Sequence, residues 1–270
     1  MTGWIYEHNL DPVLVQLGPL RIGWYGLMYA LAFLSFYWMM MRFAKKPGAL
    51  LPAQEVPNLL TYVIVGVIVG GRLGWVVFYG GTSYFYDPLR ILETWKGGMS
   101  FHGGMIGVVA AAWIYCRRHG ISLLALIDYC GLWTPVGLGL GRIGNFINGE
   151  LYGAPTDGTW GVIFPGDPNR VPRHPSQLYE AAGEGLLLFL VMLALRRWLP
   201  WRGLQSASFL VVYGASRTAV ELIRLPDAHI GYLLYGTTMG QWLSFPMLAV
   251  GLVWIVWIAA RELRPPRAEA

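Results

Sequence analysis

Windows of about 20 predominantly apolar residues recur along this 270-residue chain, and that is the length an α-helix needs to cross the hydrocarbon core of a bilayer. They fall near 22–41, 59–79, 102–116, 121–140, 178–195, 207–223 and 240–260, the third being short. The expectation is an all-α integral membrane protein of about seven transmembrane helices, with 1–270 forming a single polytopic domain. Charged residues make up only 13% of the chain, about half the share found in soluble domains. Thirteen Trp and fifteen Tyr fit aromatic belts at the two interfaces.

The net charge of +5 is read by position, because in such a chain it reports topology. One set of loops holds Arg42, Lys45, Lys46, Arg117, Arg118, Arg196, Arg197, Arg202, Arg261, Arg264 and Arg267. The opposite set holds Arg21, Arg90, Lys96, Arg170, Arg173 and Arg224, spread over much longer sequence. The positive-inside rule then puts the N-terminus outside and the C-terminus in the cytoplasm. Nucleic acid is not an expected partner.

The first 20 residues lack a basic n-region, so no cleavable signal peptide is expected. Cys116 and Cys130 lie within or beside apolar windows without metal-ligand spacing, and packing is the reading they support. No internal repeat is evident. The stretch 141–176, rich in Gly and Pro, is expected to be an outward loop folded into a small cap, and the basic C-terminal tail to be disordered.

Within that stretch, residues 141–153 read Gly-Arg-Ile-Gly-Asn-Phe-Ile-Asn-Gly-Glu-Leu-Tyr-Gly, directly after a window long enough to span. Irregular polar backbone at membrane depth must be buried in protein or line a wet cavity. Arg142 and Asn145 have no packing role there, which points to function. The orientation gathers other groups on the same outer half: Arg72, His102 at the start of the third window, and Glu180 and Glu184 one turn apart. Tyr213, Arg217, Glu221 and Arg224 join them, at spacings that share one helix face. Asp128, near a cytoplasmic end, stands apart. Four arginines against two or three carboxylates leave a positive excess, which favours an anion, and guanidinium suits phosphate. An outer-leaflet phospholipid headgroup is the abundant candidate.

Spacing leaves alternatives open. Arg72 is either functional or paired with Glu180 or a helix-end carbonyl. Glu221 is either part of a site or the counter-ion of Arg217 and Arg224. His102 is either reactive or an interfacial histidine held by backbone, and Tyr25 and Tyr29 read first as belt aromatics. Gly66, Gly70, Gly74, Gly137 and Gly141 recur every four residues, a helix-packing device.

Residues 142–153 resemble the signature of the bacterial prolipoprotein diacylglyceryl transferases. Further blocks correspond in the same order: Trp24–Tyr29, Gly70–Gly74, Gly97–Gly104, Arg173–Glu180, Tyr213–Arg217 and Met239–Ser244. The stretch between Gly153 and Arg173 looks shorter than in some members. The resemblance implies transfer of the diacylglyceryl group of phosphatidylglycerol to the lipobox cysteine thiol of a prolipoprotein signal peptide. It implies a site of Tyr25, His102, Arg142, Asn145, Glu150, Gly153, Arg217, Glu221 and Arg224, facing the periplasmic side of the bacterial inner membrane among its lipids. Of these, Arg142 and Arg217 are expected to clamp phosphate and His102 to accept the thiol proton, with no metal or organic cofactor. Two other classes remain in view: a transporter or channel for a small organic anion, and a lipid-binding scaffold without chemistry.

Overall fold

The computed structural model describes residues 3–18, 20–80, 83–94, 97–225 and 231–264. Lys96, Arg267 and the C-terminal tail, which entered the expectations above, lie outside them. The chain is mostly helical, and its contacts divide it into two compact units, residues 37–127 and residues 1–36 with 128–270.

The long helices are α1 (Trp24–Ala44), α2 (Val56–Tyr79), α3 (Phe101–His119), α4 (Leu123–Gly131), α5 (Thr134–Asn148), α6 (Ser176–Trp198), α7 (Leu204–Glu221) and α8 (Met239–Glu262). Among the described residues, four helices are long and apolar enough to cross a membrane: α1, α2 with the turn before it, α6 and α8. The pair α4 and α5, bent by 50°, makes a fifth if it is one span. The structure therefore carries four or five spans on this measure, where sequence windows suggested about seven. The more polar α3 and α7 fall short of it because they carry the histidine, serines and charged residues that the windows averaged away.

In the unit 37–127, α2 and α3 pack through glycines. A Cβ placed on Gly66 would sit 2.6 Å from the Gly107 carbonyl oxygen, and one on Gly74 would sit 2.6 Å from Gly103 Cα. Small residues permit such backbone contact, and dispersion between the close surfaces then holds the pair. Arg72 of α2 is buried and donates four hydrogen bonds to main-chain carbonyls: Nε to Ile91 (2.8 Å), Nη1 to Gly97 (2.7 Å) and Gly98 (3.2 Å), and Nη2 to Arg90 (2.6 Å). Its guanidinium also lies over the rings of Trp75 and Tyr84. The carbonyl reading of Arg72 is the correct one. It ties the segment before α3 to α2, and Ser100 then caps α3 by accepting from the Gly103 N–H.

In the other unit, α7 and α8 pack around Leu204, Ala207 and Ile258. Asp128 accepts from the N–H groups of Gly203 (2.5 Å) and Ser206 (2.9 Å) and from the Ser206 hydroxyl. Its position apart from the other charges is thus explained by capping of α7. Two small sheets complete the unit. Strands β1 (Trp4–Glu7) and β4 (Trp160–Ile163) pair in parallel, and β2 (Val13–Leu17) and β3 (Leu20–Gly23) form a hairpin leading into α1. The capping box of α8 is complete, with Thr238 and Gln241 exchanging side-chain bonds to backbone.

Three expectations are corrected here. The fourth window, 121–140, is not one helix: it breaks between Gly131 and Thr134, and α5 continues through Arg142 to Asn148. The glycines of the signature suggested a loop, but only Gly149 takes a left-handed φ, 68°, and it ends the helix. The expected cap over 141–176 therefore begins at 149, not 141. The glycine device also holds only in part, since Gly137 makes ordinary contact and Gly141 faces open space.

These packings predict opposite signs for two glycine substitutions. Gly66→Leu should destabilise the folded protein in detergent by about 1–3 kcal/mol, as overpacking does. Gly141→Ala should be neutral or stabilising by up to about 1 kcal/mol, because a helical glycine loses more chain entropy. Thermal melts of the two purified variants measure both.

Candidate active site

Helix α6 is not uniformly α. Residues Ala181–Leu187 form a π-helical segment, a wide turn that recurs at functional sites. Its Gly185 meets Gly139 of α5, where an added Cβ would sit 2.8 Å from Gly139 Cα. This contact brings the polar faces of α5 and α6 together, and Glu180 and Glu184 are fully buried between them and α7.

Three guanidiniums meet these carboxylates. Arg142 of α5 directs Nε (3.3 Å) and Nη2 (3.1 Å) to Glu184 Oε2, and its Nη1 lies 3.2 Å from Glu180 Oε2. Arg217 of α7 donates from Nη1 to Glu180 Oε1 and from Nη2 to Glu221 Oε1, both at 2.5 Å. Arg224, beyond the end of α7, places Nη1 3.5 Å from both Glu180 and Glu221. Glu180 touches all three arginines. The arginine side chains are 10–19% exposed, so the network is close to dry.

The positive excess expected of this cluster is absent. Arg72 is engaged by carbonyls in the other unit, and both glutamates of α6 belong to the network. Three arginines face three carboxylates. The reading of Glu221 as a counter-ion of Arg217 and Arg224 matches its contacts. Nothing in the spacing gave Gly240, which sequence reasoning placed in a block without a role. A Cβ there would sit 2.5 Å from the Glu221 carboxylate, so α8 begins on a residue that leaves room for it.

One turn beyond Arg142, buried Asn145 donates from Nδ2 to Glu150 Oε1 (2.9 Å), and Asn148 donates to the same oxygen (3.3 Å). The Tyr25 hydroxyl pairs with Tyr29 and interacts with Asn145. Tyr25 also packs on Gly144, so it is more than a belt aromatic. Buried Gln177 supports this patch by donating to the Glu150 carbonyl (2.6 Å), and Ser176 donates to that of Leu151 (2.9 Å). Sequence reasoning missed both, although they sit in the Arg173–Glu180 block.

Gly153 is a close-approach position. Its N–H donates to the His174 carbonyl, a Cβ on it would sit 2.7 Å from the Ile223 carbonyl oxygen, and it bridges to Arg224. The signature thereby fixes the backbone that carries Arg224. The loop between Gly149 and Pro175 is held by Asp167, which accepts two bonds from Arg173 (2.7 and 2.8 Å) and others from the N–H groups of Asn169 and Val171. The Arg173 guanidinium hydrogen-bonded to Asp167 holds its carboxyl below the usual range, and burial opposes this only in part.

His102 belongs to the other unit. It stands exposed in the first turn of α3 and lines an open cleft of about 330 Å³ with Trp75, Tyr79, Met99 and Ser100. Among the described residues no group of His, Cys, Asp and Glu could hold a metal ion, and neither cysteine is in a disulfide.

Fold and network define a class: a multi-pass helical membrane protein with a balanced, buried Arg–Glu cluster between its helices. The comparisons make this specific. The profile described as "Prolipoprotein diacylglyceryl transferase" matches residues 12–257. Proteins named phosphatidylglycerol–prolipoprotein diacylglyceryl transferase are similar over nearly full length. The one from Solidesulfovibrio magneticus is 49% identical, covering 94% of this chain and 95% of its own. That from Geobacter sulfurreducens is 47% identical (95% and 98%), and that from Cupriavidus pinatubonensis 44% (95% and 94%). The chain belongs to the prolipoprotein diacylglyceryl transferase family.

Asp167 yields a pH prediction. A carboxyl whose folded pKa is depressed contributes stability above its unfolded pKa, about 3.9, and loses it as pH falls through the folded value. Asp167→Asn should therefore destabilise the protein at pH 7, by roughly 3 kcal/mol if the buried Arg173 is left unpaired. The gap to the wild type should narrow below about pH 4. Melting curves of both proteins across pH 3–8 give the comparison.

Proposed function

We propose that this protein transfers the diacylglyceryl group of phosphatidylglycerol to the thiol of a lipobox cysteine in a prolipoprotein signal peptide, the first step of bacterial lipoprotein maturation. The observation that carries the reading is the burial of Arg142, Arg217 and Arg224 around one carboxylate, in a chain whose relatives bear that name. The seven apolar windows, with α3 and α7 counted as spans, support seven helices in the inner membrane, and the distribution of Lys and Arg gives their orientation. It also supports an outside N-terminus, a periplasmic site and a cap built from the loop after α5.

In this reaction a sulfur–carbon bond forms at the glycerol carbon while that carbon's bond to the phosphate oxygen breaks. The electron pair leaves on glycerol phosphate. Charge grows on the phosphate oxygens as the bond breaks, so fixed guanidiniums stabilise the transition state more than the ground state. Arg142 and Arg217 take that role, with Arg224 beside them. Asn145, Glu150 and Tyr25 orient the glycerol hydroxyls of the headgroup, and Gly153 and Glu221 hold the arginines in place. The nucleophile comes from the second substrate as a thiolate, and a free thiol has a pKa near 8.5. His102 accepts its proton, and no cofactor is needed.

The direct experiment is label transfer from phosphatidylglycerol to a lipobox peptide by the purified protein. Activity should be present in the wild type and mostly lost in Arg142→Lys, because a point charge does not reproduce a planar fork. Normal turnover in that variant, at normal protein level, removes Arg142 from the phosphate. His102→Gln should slow transfer roughly 10²–10⁴-fold, the size of general-base effects, with phospholipid affinity little changed. The defect should shrink as pH rises towards the thiol pKa. Weak lipid binding without rescue at high pH makes His102 a binding residue instead.

A further inference from the structure

The phosphate reading meets a difficulty in the network itself. In their ordinary ionised forms, Arg142, Arg217 and Arg224 are balanced by Glu180, Glu184 and Glu221. A neutral cluster in a nearly dry site has no charge left for an anion, and an uncompensated buried charge is strongly unfavourable. One carboxylate must therefore release its arginine for a phosphate to be held.

The three carboxylates are not equally committed. Glu180 joins all three arginines: Oε1 meets Arg217 and Arg224, and Oε2, which accepts no hydrogen bond among the described residues, lies 3.2 Å from Arg142 Nη1. Glu221 joins Arg217 and Arg224 from α7 itself. Glu184 reaches two arginines, and only one of them closely. Its Oε2 fills the Nε–Nη2 edge of Arg142, while its fully buried Oε1 accepts no hydrogen bond and lies 3.8 Å from Arg217 Nη1. Glu180 and Glu184 each hold a buried oxygen without a hydrogen bond, which is unfavourable, but that of Glu184 lies farther from its arginine, 3.8 Å against 3.2 Å, so Glu184 has least to lose. It also occupies the arginine edge that suits a bidentate phosphate, and it stands in the π-helical turn between Gly183 and Gly185.

We propose that Glu184 is a displaceable internal counter-ion. Its carboxylate stands on the edge of Arg142 that a phosphate would take, and the headgroup of an anionic phospholipid takes that edge from it. Glu184 is thus an antagonist of ground-state lipid binding, unlike the glutamates that position arginines for it. The inference rests on the phosphate reading of Arg142.

The test uses the full-length protein in neutral detergent, with thermal-shift titration by phosphatidylglycerol and, as control, phosphatidylcholine. Glu184→Gln keeps the shape and removes the competing charge. It should melt lower than wild type without phosphatidylglycerol, and bind that lipid about 5- to 150-fold more tightly, the usual range of coupling between two sites. A positioning role predicts the reverse, weaker binding in Glu184→Gln. Equal or weaker binding, in a wild type that prefers phosphatidylglycerol, overturns the inference and leaves the phosphate reading standing. A wild type without that preference removes the phosphate reading and the inference together. Should Glu184→Gln not fold even with phosphatidylglycerol, Glu184→Asp keeps the charge but draws the carboxylate back from Arg142. Its binding should then tighten at least about twofold, within the same coupling logic, and unchanged or weaker binding counts against displacement.

Discussion

Neutralisation of three buried guanidiniums by three buried carboxylates is the constraint on which the rest of the structure around the site depends. None of these groups is tolerable alone among apolar helices, since a single ion stripped of water is strongly disfavoured. The partners must therefore arrive together from α5, α6 and the end of α7. This explains local features that otherwise look accidental. The π-helical turn sets Glu184 against α5 beside Glu180 just before it, Gly139 and Gly185 let those helices meet backbone to backbone, and Gly240 leaves space for the Glu221 carboxylate. Gly153 serves the same end from the loop, because its contact with Ile223 fixes the chain next to Arg224.

Much of this was legible in the sequence, for identifiable reasons. Apart from the fourth, which breaks after Gly131 and runs on to Asn148, the apolar windows located the helices to within a few residues, because hydrocarbon thickness fixes helix length. The face shared by Arg217 and Glu221 followed from helical spacing alone, while Arg224 lies beyond the end of the helix and still reaches the same carboxylates. The Asn145 and Glu150 pair lay inside one short motif. Other features were not legible. Pattern alone does not distinguish a glycine that ends a helix from one inside it, which is why Gly141 and Gly144 read as loop and only Gly149 behaves so. Arginine counting failed similarly. Arg72 and Arg142 both occur in Gly-rich helical segments, yet one is consumed by main-chain carbonyls and the other by carboxylates, and only tertiary structure assigns partners.

That contrast between the two arginines carries the functional argument one step further. Carbonyls are neutral acceptors, so Arg72 keeps its full positive charge while its donors are used. It acts as a clasp on the segment before α3, and an anion would gain little there because the planar fork is already filled on several edges. Arg142 has its charge cancelled, but by side chains that have rotamers of their own and can be exchanged for another anion. That difference separates Arg72 from the arginines around Glu180 but does not suffice by itself, since Arg173 is paired with the Asp167 carboxylate and still serves to hold its loop. What the arginines around Glu180 add is that three of them meet at one buried carboxylate, and the proposed phosphate reading rests on that convergence.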